Sequence, residues 1–380
     1  EGMTKEKYDK FFSLLKSEIV PLVHKINKLE QSNNLFKDKL FDINKQKEFA
    51  DYIMDVMCFD KSRGLIKESE HPFTSGYGTS DVRITTHYYE DLLISSIFSC
   101  IHELGHATYE QQCNPKLDET LVGGGASMAM HESQSRFYEN IVGRSYEFWE
   151  RHYPKLQSIF KEELKDVSLE DFYKHVNNVE CSLIRTEADE LTYPLHIMVR
   201  YEIEKLIIES EVDVCQLPTI RNNLYKEYLG IDVPTDKEGI LQDIHWAGGS
   251  FGYFPTYALG SAYGAQMLES IKKDLNFELE IGNKNLKQIN EWLKNDCCGI
   301  YNMATGTGKT ITALGSISEL SKRLKDNLVV VIICPQTHLV EQWVEDINWF
   351  GVQPIIAYSG YNWKEELKKN PLIEIINEEV

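Results

Sequence analysis

The sequence predicts a mostly α-helical chain with a small β-hairpin or sheet, followed by a partial α/β segment that carries a phosphate-binding loop (P-loop). Three observations support this prediction. Apolar residues recur every three to four positions through most of residues 1–275, which is typical of amphipathic helices. Residues 71–90 alternate instead, as strands do. After residue 298 the pattern becomes strand, glycine-rich loop and helix.

The helical part begins with helices over residues 3–57, where polar stretches separate the apolar runs. Residues 71–90 surround the alternating sequence VRITTHYY with Gly, Ser and Thr, which predicts a hairpin or an edge strand. We expect Asp91 to cap the next helix, which continues to about residue 112. A second long helix is expected over residues 126–149, after a glycine loop.

Further amphipathic helices are predicted over residues 151–229. Residues 239–257 are rich in glycine and aromatic side chains, which is more typical of a loop that lines a site than of a core element. The last predicted helix of this part covers residues 258–273. In the C-terminal part, residues 327–335 (NLVVVIICP) form an apolar run that predicts a buried parallel strand.

The sequence HELGH at residues 102–106 carries the most specific chemical information. It lies within a predicted helix, so His102 and His106 share one face and both imidazoles can reach the same metal ion. Glu103, between them, is placed to act as general base towards a water molecule activated by that metal. The pattern therefore predicts a metal-dependent hydrolase. The alternatives are a chance match on a solvated helix and hydrogen-bonded core histidines.

Two histidines need a third protein ligand to hold a catalytic zinc ion. Glu132, in the sequence HESQS, follows His106 at a separation that allows a helix, a loop and an antiparallel helix. We therefore predict His102, His106 and Glu132 as metal ligands and Glu103 as the catalytic base. His131 is expected to support the site or the fold without binding the metal.

The composition excludes several other classes of function. The 380 residues carry a formal net charge of -19. Nucleic-acid binding requires clustered Lys and Arg, so this charge argues against a nucleic-acid partner. The chain opens on charged residues, and no apolar run reaches the ~18 residues of a membrane span, so we expect a cytoplasmic protein without a membrane partner. The scattered cysteines indicate reduced thiols.

Five motifs, in order along the chain, resemble those of the M32 family of metallocarboxypeptidases, the thermostable carboxypeptidase group. They are DVRIT at 81–85, HELGH at 102–106, HESQS at 131–135, IRTEAD at 184–189 and GILQDIHW at 239–246. The resemblance covers about residues 1–275, and five ordered motifs are far more specific than any one of them. It indicates a peptidase core over residues 1–285, without the helical part that precedes this core in the family.

The resemblance implies a mostly helical, zincin-like peptidase with a cleft, often a homodimer. The implied activity is the metal-dependent removal of the C-terminal residue from peptides with a free C-terminus, with broad preference. The implied cofactor is one Zn²⁺ per chain, with another divalent metal such as Co²⁺ as the alternative. From the HExxH pattern alone, an aminopeptidase or an endopeptidase remains open.

A carboxypeptidase must recognise a free α-carboxylate, and the planar guanidinium group of arginine suits a bidentate contact with it. Arg185 is the favoured candidate, with His245 helping to position the substrate, and Arg83 is the second. Tyr253 is a candidate oxyanion donor or subsite wall, or else a packing residue. All four residues lie within or close to the five motifs.

Both arginines have a structural alternative that the sequence leaves open. Arg83 can instead form an ion pair with Asp81 or another carboxylate. Arg185 can pair within a helix with Asp189, four residues further along the chain. In either case the guanidinium group would stabilise the fold and would not bind substrate.

The C-terminal segment 286–380 resembles the start of a superfamily 2 helicase motor domain. Its residues 304–310, ATGTGKT, resemble motif I, whose backbone amides cradle phosphates. The residues expected to contact nucleotide are Gly306, Gly308, Lys309 and Thr310. Met303 stands where the strict P-loop pattern has glycine, and no DExx-type motif follows. We therefore expect weak binding of ATP and Mg²⁺ but no working helicase.

These observations leave three functions from different classes. The first is a zinc metallocarboxypeptidase joined to a helicase-like fragment that does not work as a motor. The second is an ATP-binding, helicase-like fragment joined to an inert peptidase half. The third is a remnant that binds metal without turnover.

Overall fold

The computed structural model describes residues 3–29, 35–119, 123–209 and 212–296, together with a few residues between 332 and 356. The chain divides into two units, Glu1–Ala304 and Thr305–Val380. Every helix and strand named below lies in the first unit. Among the described helices, none combines the length and the apolar character that crossing a membrane requires.

Eleven α-helices dominate the described residues of the first unit, which confirms the prediction of a mostly helical chain. They are α1 (Lys5–Ile26), α2 (Ile43–Val56), α3 (Leu93–Gln112), α4 (Met128–Arg136), α5 (Tyr146–Ile159), α6 (Leu169–Val176), α7 (Tyr193–Ile208), α8 (Leu217–Leu229), α9 (Pro255–Asp274), α10 (Phe277–Ile281) and α11 (Lys287–Asp296). The predicted site-lining loop lies between α8 and α9.

The strands form one three-stranded sheet in the order β1-β3-β2, with β1 (Gly64–Glu68), β2 (Phe73–Gly76) and β3 (Val82–Thr86). Strands β2 and β3 pair antiparallel, as the predicted hairpin requires, and β1 adds a parallel strand that the sequence did not indicate. Strand β3 buries alternate residues, whereas β1, with the sequence GLIKE, has two adjacent apolar side chains, Leu65 and Ile66, and so lacks the apolar alternation that marks a strand in a sequence.

The predicted cap of helix α3 is wrong. The helix begins at Leu93 after Leu92, and no side chain accepts a hydrogen bond from its first turn. Asp91 lies one residue before the capping position, so its carboxylate does not meet the free amides of that turn.

The continuous helix expected over residues 126–149 is also wrong. Helix α4 ends at Arg136, a π-helical segment follows over Phe137–Val142, and a separate helix, α5, begins at Tyr146. The hydroxyl of Ser145 accepts a hydrogen bond from the backbone N–H of Phe148 at 3.3 Å, so this serine caps a new helix.

Two hydrophobic clusters hold these helices in place. The first contains residues of α2, α3, α5 and the sheet, and the second joins α1, α7 and α8. Helix α3 buries Ile97, Ile101 and Leu104 in the first cluster. Helix α11 adds Ile289 and Trp292 to the same cluster, so the chain beyond residue 285 still packs in this core. The domain boundary between residues 285 and 286 stays a prediction.

Helix α4 approaches two other helices closely because glycines face it. A Cβ atom added to Gly105 of α3 would lie 2.7 Å from the Cα atom of Ser135. A Cβ atom added to Gly260 of α9 would lie 2.6 Å from the Cγ atom of Glu132. Both distances are shorter than real Cβ contacts, so only glycine permits this approach. The glycine within HELGH therefore allows α4 to pack directly against α3.

Candidate metal centre

The structure brings the three predicted metal ligands together. The donor atoms of His102, His106 and Glu132 all lie within 4.8 Å of one another. The Oε2 atom of Glu132 is 3.4 Å from Nε2 of His106 and 3.8 Å from Nε2 of His102. Helix α3 supplies both imidazoles and α4 supplies the carboxylate. Two imidazole nitrogens and a carboxylate oxygen are a donor set that holds zinc in catalytic sites.

Glu139 fixes the tautomer of His102. Its Oε2 atom lies 2.7 Å from Nδ1 of His102, and because an ionised carboxylate only accepts hydrogen bonds, Nδ1 carries the proton. In the neutral imidazole the lone pair then lies on Nε2, the atom that faces Glu132, as metal binding requires. Burial alone would lower the pKa of His102, but the charge of Glu132 and the hydrogen bond to Glu139 outweigh it and raise the pKa.

Glu110 and His131 fix the tautomer of His106 through two consecutive hydrogen bonds. Oε1 of Glu110 lies 2.5 Å from Nε2 of His131, and Nδ1 of His131 lies 2.6 Å from Nδ1 of His106. Because the carboxylate accepts from Nε2–H, a neutral His131 has an unprotonated Nδ1, which accepts the Nδ1–H of His106. The Nε2 lone pair of His106 is left for a metal. Burial lowers the pKa of His106, which favours the neutral, ligating form.

Arg136 binds the carboxylate oxygen of Glu132 that does not face the histidines. Its Nε donates to Oε1 of Glu132 at 2.8 Å, and its Nη1 donates to Oε2 of Glu139 at 3.1 Å. Burial alone would raise the pKa of both carboxyl groups, but Arg136 and the neighbouring histidines lower it. The pKa of Glu139 falls to about 2, and that of Glu132 lies far below its usual range. Both groups are therefore ionised and suited to a cation site.

Glu103 is nearly fully buried beside the ligand His102, with a 6% exposed fraction. Its carboxylate is not among the three grouped donors, so it remains available as a base. Its Oε2 atom lies 2.6 Å from the hydroxyl of Thr74 on β2. The predicted base thus lies on the same helix as the two histidines and is held by the neighbouring strand.

Two arginines share the carboxylate of Asp243. Oδ1 accepts from Nε and Nη2 of Arg185 at 2.9 and 2.7 Å, and Oδ2 accepts from Nε of Arg200 at 2.6 Å. Burial alone would raise the pKa of Asp243, but the two guanidinium groups lower it to about 2. Asp243 has a φ of 71°, a left-handed conformation that aspartate tolerates better than most residues. The third contact of Arg185 is Nη1 to the hydroxyl of Tyr193, at 3.1 Å.

The alternative pair between Arg185 and Asp189 is wrong. Arg185 lies in a short 3-10 turn, and Oδ1 of Asp189 accepts two backbone N–H groups, at 2.9 and 3.0 Å, just before α7. A guanidinium group has five N–H donors, and three of those of Arg185 are engaged by Asp243 and Tyr193. Two donors therefore remain for a further acceptor such as a substrate carboxylate.

A third guanidinium group adds positive charge to this buried region. Arg221 contacts the hydroxyl of Tyr225 at 3.0 Å, and Arg200 contacts the same oxygen at 3.2 Å. Burial, together with the charge of Arg200, lowers the pKa of Arg221 to about 10. Two of these three buried guanidinium groups bind Asp243, and the third shares the Tyr225 hydroxyl with Arg200, so positive charge exceeds negative charge among these four side chains and favours an anion.

His245 and Tyr253, both predicted to contact substrate, lie together beside Tyr257. Nε2 of His245 is 3.1 Å from the hydroxyl of Tyr257, and the rings of His245 and Tyr253 are 5.4 Å apart. Burial raises the pKa of Tyr253, and the charge of Glu132 raises it further. The guanidinium group of Arg185 lies 5.0 Å from the ring centre of Tyr257. These aromatic residues therefore lie beside the arginine cluster.

Arg83 forms a separate, exposed ion pair. Its guanidinium group makes two hydrogen bonds with Asp81, at 2.8 and 2.6 Å, and 49% of its side chain is exposed. This is the pair that the sequence left open as the alternative. A role of Arg83 in substrate binding stays a prediction. The predicted nucleotide contacts Gly306, Gly308, Lys309 and Thr310 lie outside the described residues.

Sequence reasoning missed three charged residues that support the ligands, Glu110, Arg136 and Glu139. Helical spacing marked two of them. Glu110 follows His106 by four residues, and Arg136 follows Glu132 by four, so each lies on the same helix face as a ligand. Glu139 lies in the π-helical segment, where ordinary helical spacing does not predict which face a side chain occupies.

We expect His131→Ala to weaken zinc binding by about 10- to 100-fold, because His106 loses the acceptor that fixes its tautomer. His131→Asn should keep much of the affinity, since an asparagine oxygen can accept the same Nδ1–H. Competition with a chromophoric chelator, starting from metal-free protein, measures both. An equal loss in the two variants would contradict this account of the hydrogen-bonded chain.

Gly260→Ala should destabilise the fold by about 1–3 kcal/mol and weaken zinc binding, because the new Cβ would press on the Cγ atom of Glu132. The matched control is Gly264→Ala on the same helix, where the nearest atom, the carbonyl oxygen of Ser133, is 3.5 Å away. Urea unfolding and zinc titration measure the two effects. If both variants behave alike, close approach at Gly260 does not position the ligand.

Comparisons with known proteins give two matches to family models. A model described as carboxypeptidase Taq (M32) metallopeptidase matches residues 1–322. A model described as DEAD/DEAH box helicase matches residues 283–377. The first match contains every described residue of the candidate metal centre, and the second contains the glycine-rich loop.

Individual carboxypeptidases are also similar to this chain. Carboxypeptidase 1 of Bacillus subtilis is 46% identical over 297 residues, which are 77% of this chain and 59% of that protein. Thermostable carboxypeptidase 1 of Thermus thermophilus is 46% identical over 235 residues, 62% of this chain and 46% of that protein. The crystal structure of an M32 carboxypeptidase from Deinococcus radiodurans is 33% identical and has a TM-score of 0.76. The match covers 85% of this chain and 68% of that one. The chain thus spans about half the length of these curated relatives.

Proposed function

Because the chain belongs to the carboxypeptidase Taq (M32) metallopeptidase family, we propose that it removes the C-terminal residue from peptides, with broad specificity, in a metal-dependent hydrolysis. The observation that carries the proposal is the combination of two sites in one described unit. One is the His102, His106 and Glu132 donor set. The other is the buried arginine cluster around Asp243, which suits a carboxylate.

The proposed metal is Zn²⁺, one per chain, with Co²⁺ as the alternative. Two neutral imidazoles and one carboxylate are the ligands that zinc takes in catalytic sites, where it keeps one position open. When bound, zinc supplies Lewis-acid activation of water and of the substrate carbonyl. The hydrogen bonds of Glu139 and His131 support this assignment, because they engage Nδ1 of both histidines and leave Nε2 of each facing the Glu132 carboxylate.

Within the chain, Glu103 is the proposed base. Its carboxylate takes a proton as water attacks the last peptide carbonyl and then passes it to the amine that leaves. The near-complete burial of Glu103 limits competing water around the carboxylate. Tyr253 is the proposed donor to the oxygen that becomes negative, which its place beside the ring of His245 supports.

Recognition of the substrate terminus is assigned to Arg185. Two of its N–H donors remain after its contacts with Asp243 and Tyr193, one on each terminal nitrogen, and a carboxylate is the acceptor that suits them. His245, held by the hydroxyl of Tyr257, is the proposed second contact that positions the substrate. The loop that carries His245 also carries Asp243, so one segment supports both functions.

The test compares an N-blocked peptide acid with its C-terminal amide. We expect the amide to be cleaved at least about 100-fold more slowly than the acid. The N–H donors of Arg185 suit a charged carboxylate, and the neutral amide leaves them without that acceptor. An N-blocked peptide has no free N-terminus, so cleavage of the N-blocked acid would exclude an aminopeptidase. Equal cleavage of acid and amide would reject the carboxypeptidase assignment and leave an endopeptidase.

A second candidate function is weak binding of ATP and Mg²⁺ by the C-terminal segment, which the helicase model match favours. Lys309 would contact phosphates and Thr310 the magnesium ion, as in other loops of this sequence pattern. ATP should raise the melting temperature of the chain, and Lys309→Ala should abolish that rise. The same rise in both proteins would reject the proposal.

A homodimer and a cytoplasmic location also stay predictions. Light scattering would test the first.

A further inference from the structure

Thr74 on strand β2 contacts the side chain of the predicted base. Its hydroxyl lies 2.6 Å from Oε2 of Glu103 and 3.2 Å from the carbonyl oxygen of the same residue. The two residues are 29 positions apart and lie on different elements, β2 and α3. A hydroxyl has one proton, and the shorter contact to the charged acceptor is the stronger of the two. The hydroxyl therefore donates to the carboxylate.

The donor is held rigidly. Thr74 pairs with Ile84 in the β2–β3 ladder, and Ile84 is fully buried in the core. A β-branched side chain has few accessible χ1 rotamers, so fixing the backbone of Thr74 also restricts its hydroxyl. In contrast, a glutamate side chain has three torsions and needs an external contact to hold one orientation.

The contact leaves the other carboxylate oxygen available. Among the described residues, no donor contacts Oε1 of Glu103. One oxygen is thus tied to the sheet while the second can accept a proton. Thr74 lies outside the five sequence motifs, so the sequence did not mark it.

We propose that Thr74 is a positioning residue for the general base. By binding Oε2, it holds the Glu103 carboxylate in the orientation in which Oε1 receives the proton. This inference rests on the proposed function and adds a residue to it. Positioning acts on the chemical step and not on binding of metal or substrate, so its loss should lower kcat and leave KM unchanged.

The test compares Thr74→Val, which keeps the shape and removes the hydroxyl, with Thr74→Ser, which keeps the hydroxyl. Thr74→Val should lower kcat by about 10- to 100-fold with KM and zinc affinity unchanged. Thr74→Ser should recover activity to within about threefold. The control is Thr86→Val in the same sheet, a buried threonine whose hydroxyl has no hydrogen-bond partner among the described residues, so this variant should leave kcat unchanged.

Two outcomes would overturn the proposal. One is a Thr74→Val enzyme within about threefold of the wild type. The other is equal damage in the Val and Ser variants with a raised KM, which would mean that Thr74 only ties β2 to α3. Both outcomes are measured relative to wild-type protein that cleaves peptides.

A thermodynamic cycle separates this proposal from the proposed function. If the wild type does not cleave peptides, the function fails, but the contact can still be measured by urea unfolding of Thr74→Val, Glu103→Ala and the double variant. If the hydrogen bond forms, the double variant should lose less free energy of unfolding than the sum of the losses in the two single variants. Additive effects would show that the contact does not form and would overturn the positioning proposal independently.

Discussion

Replacing Glu103 with Gln should lower kcat by about 10²- to 10⁴-fold while zinc remains bound at one per chain. The amide cannot take a proton from the attacking water, but it keeps an oxygen that accepts the hydrogen bond of Thr74, so the local structure should survive. The zinc ligands are other residues, so affinity should change little. Steady-state kinetics and metal analysis of the purified variant measure the two effects.

The control for this variant is Glu150→Gln on α5, an exposed position. It removes the same charge from the surface and should leave kcat unchanged. Full activity in Glu103→Gln would mean that another group takes the proton. Loss of zinc together with activity would instead mean that Glu103 helps to hold the metal, which would contradict the separation between base and ligands.

Replacing Arg185 with Ala should remove about 2–5 kcal/mol of the stabilisation that a peptide with a free C-terminus receives in the transition state. Cleavage of peptide amides, which cannot form the ionic contact, should change much less. The preference for acids over amides should therefore collapse. Asp243 keeps its ion pair with Arg200, so the protein should remain folded. The measurement is kcat/KM for a matched acid and amide, with thermal unfolding as the check on structure.

Arg83→Ala is the matched control, because the sequence named both arginines as candidates. Arg83 is exposed and bound to Asp81, so its loss should leave the acid preference intact. If Arg83→Ala removes the preference and Arg185→Ala does not, the two candidates have been assigned the wrong way round. If neither changes it, the carboxylate is recognised elsewhere.

The ligands could be predicted from the sequence because their geometry is largely local. His102 and His106 share a helix face by spacing alone, and Glu132 needs only a return of the chain after one loop. The small sheet was predicted in part for the same reason, since the alternation in β3 is visible in its residues. Strand β1, whose apolar residues Leu65 and Ile66 are adjacent and do not alternate with polar ones, was missed.

The contacts of the arginine cluster proposed to bind the substrate could not be predicted, because they join distant parts of the chain. Asp243 meets Arg200 across 43 residues and Arg185 across 58, and no periodicity marks such a meeting. The sequence instead suggested Asp189 as the partner of Arg185 because it lies four residues away. That reasoning assumes a regular helix, and the chain forms a 3-10 turn there.

The most direct test of the account is release of the C-terminal amino acid from an N-blocked dipeptide by the protein with zinc, after chelation, and after zinc is restored. We predict release with zinc, loss of at least about 100-fold on chelation, and recovery when one zinc ion per chain is returned. Release that persists in the metal-free protein would contradict a metal-dependent mechanism. No release from folded, zinc-loaded protein would mean that this part of the family fold binds metal without turning over peptide.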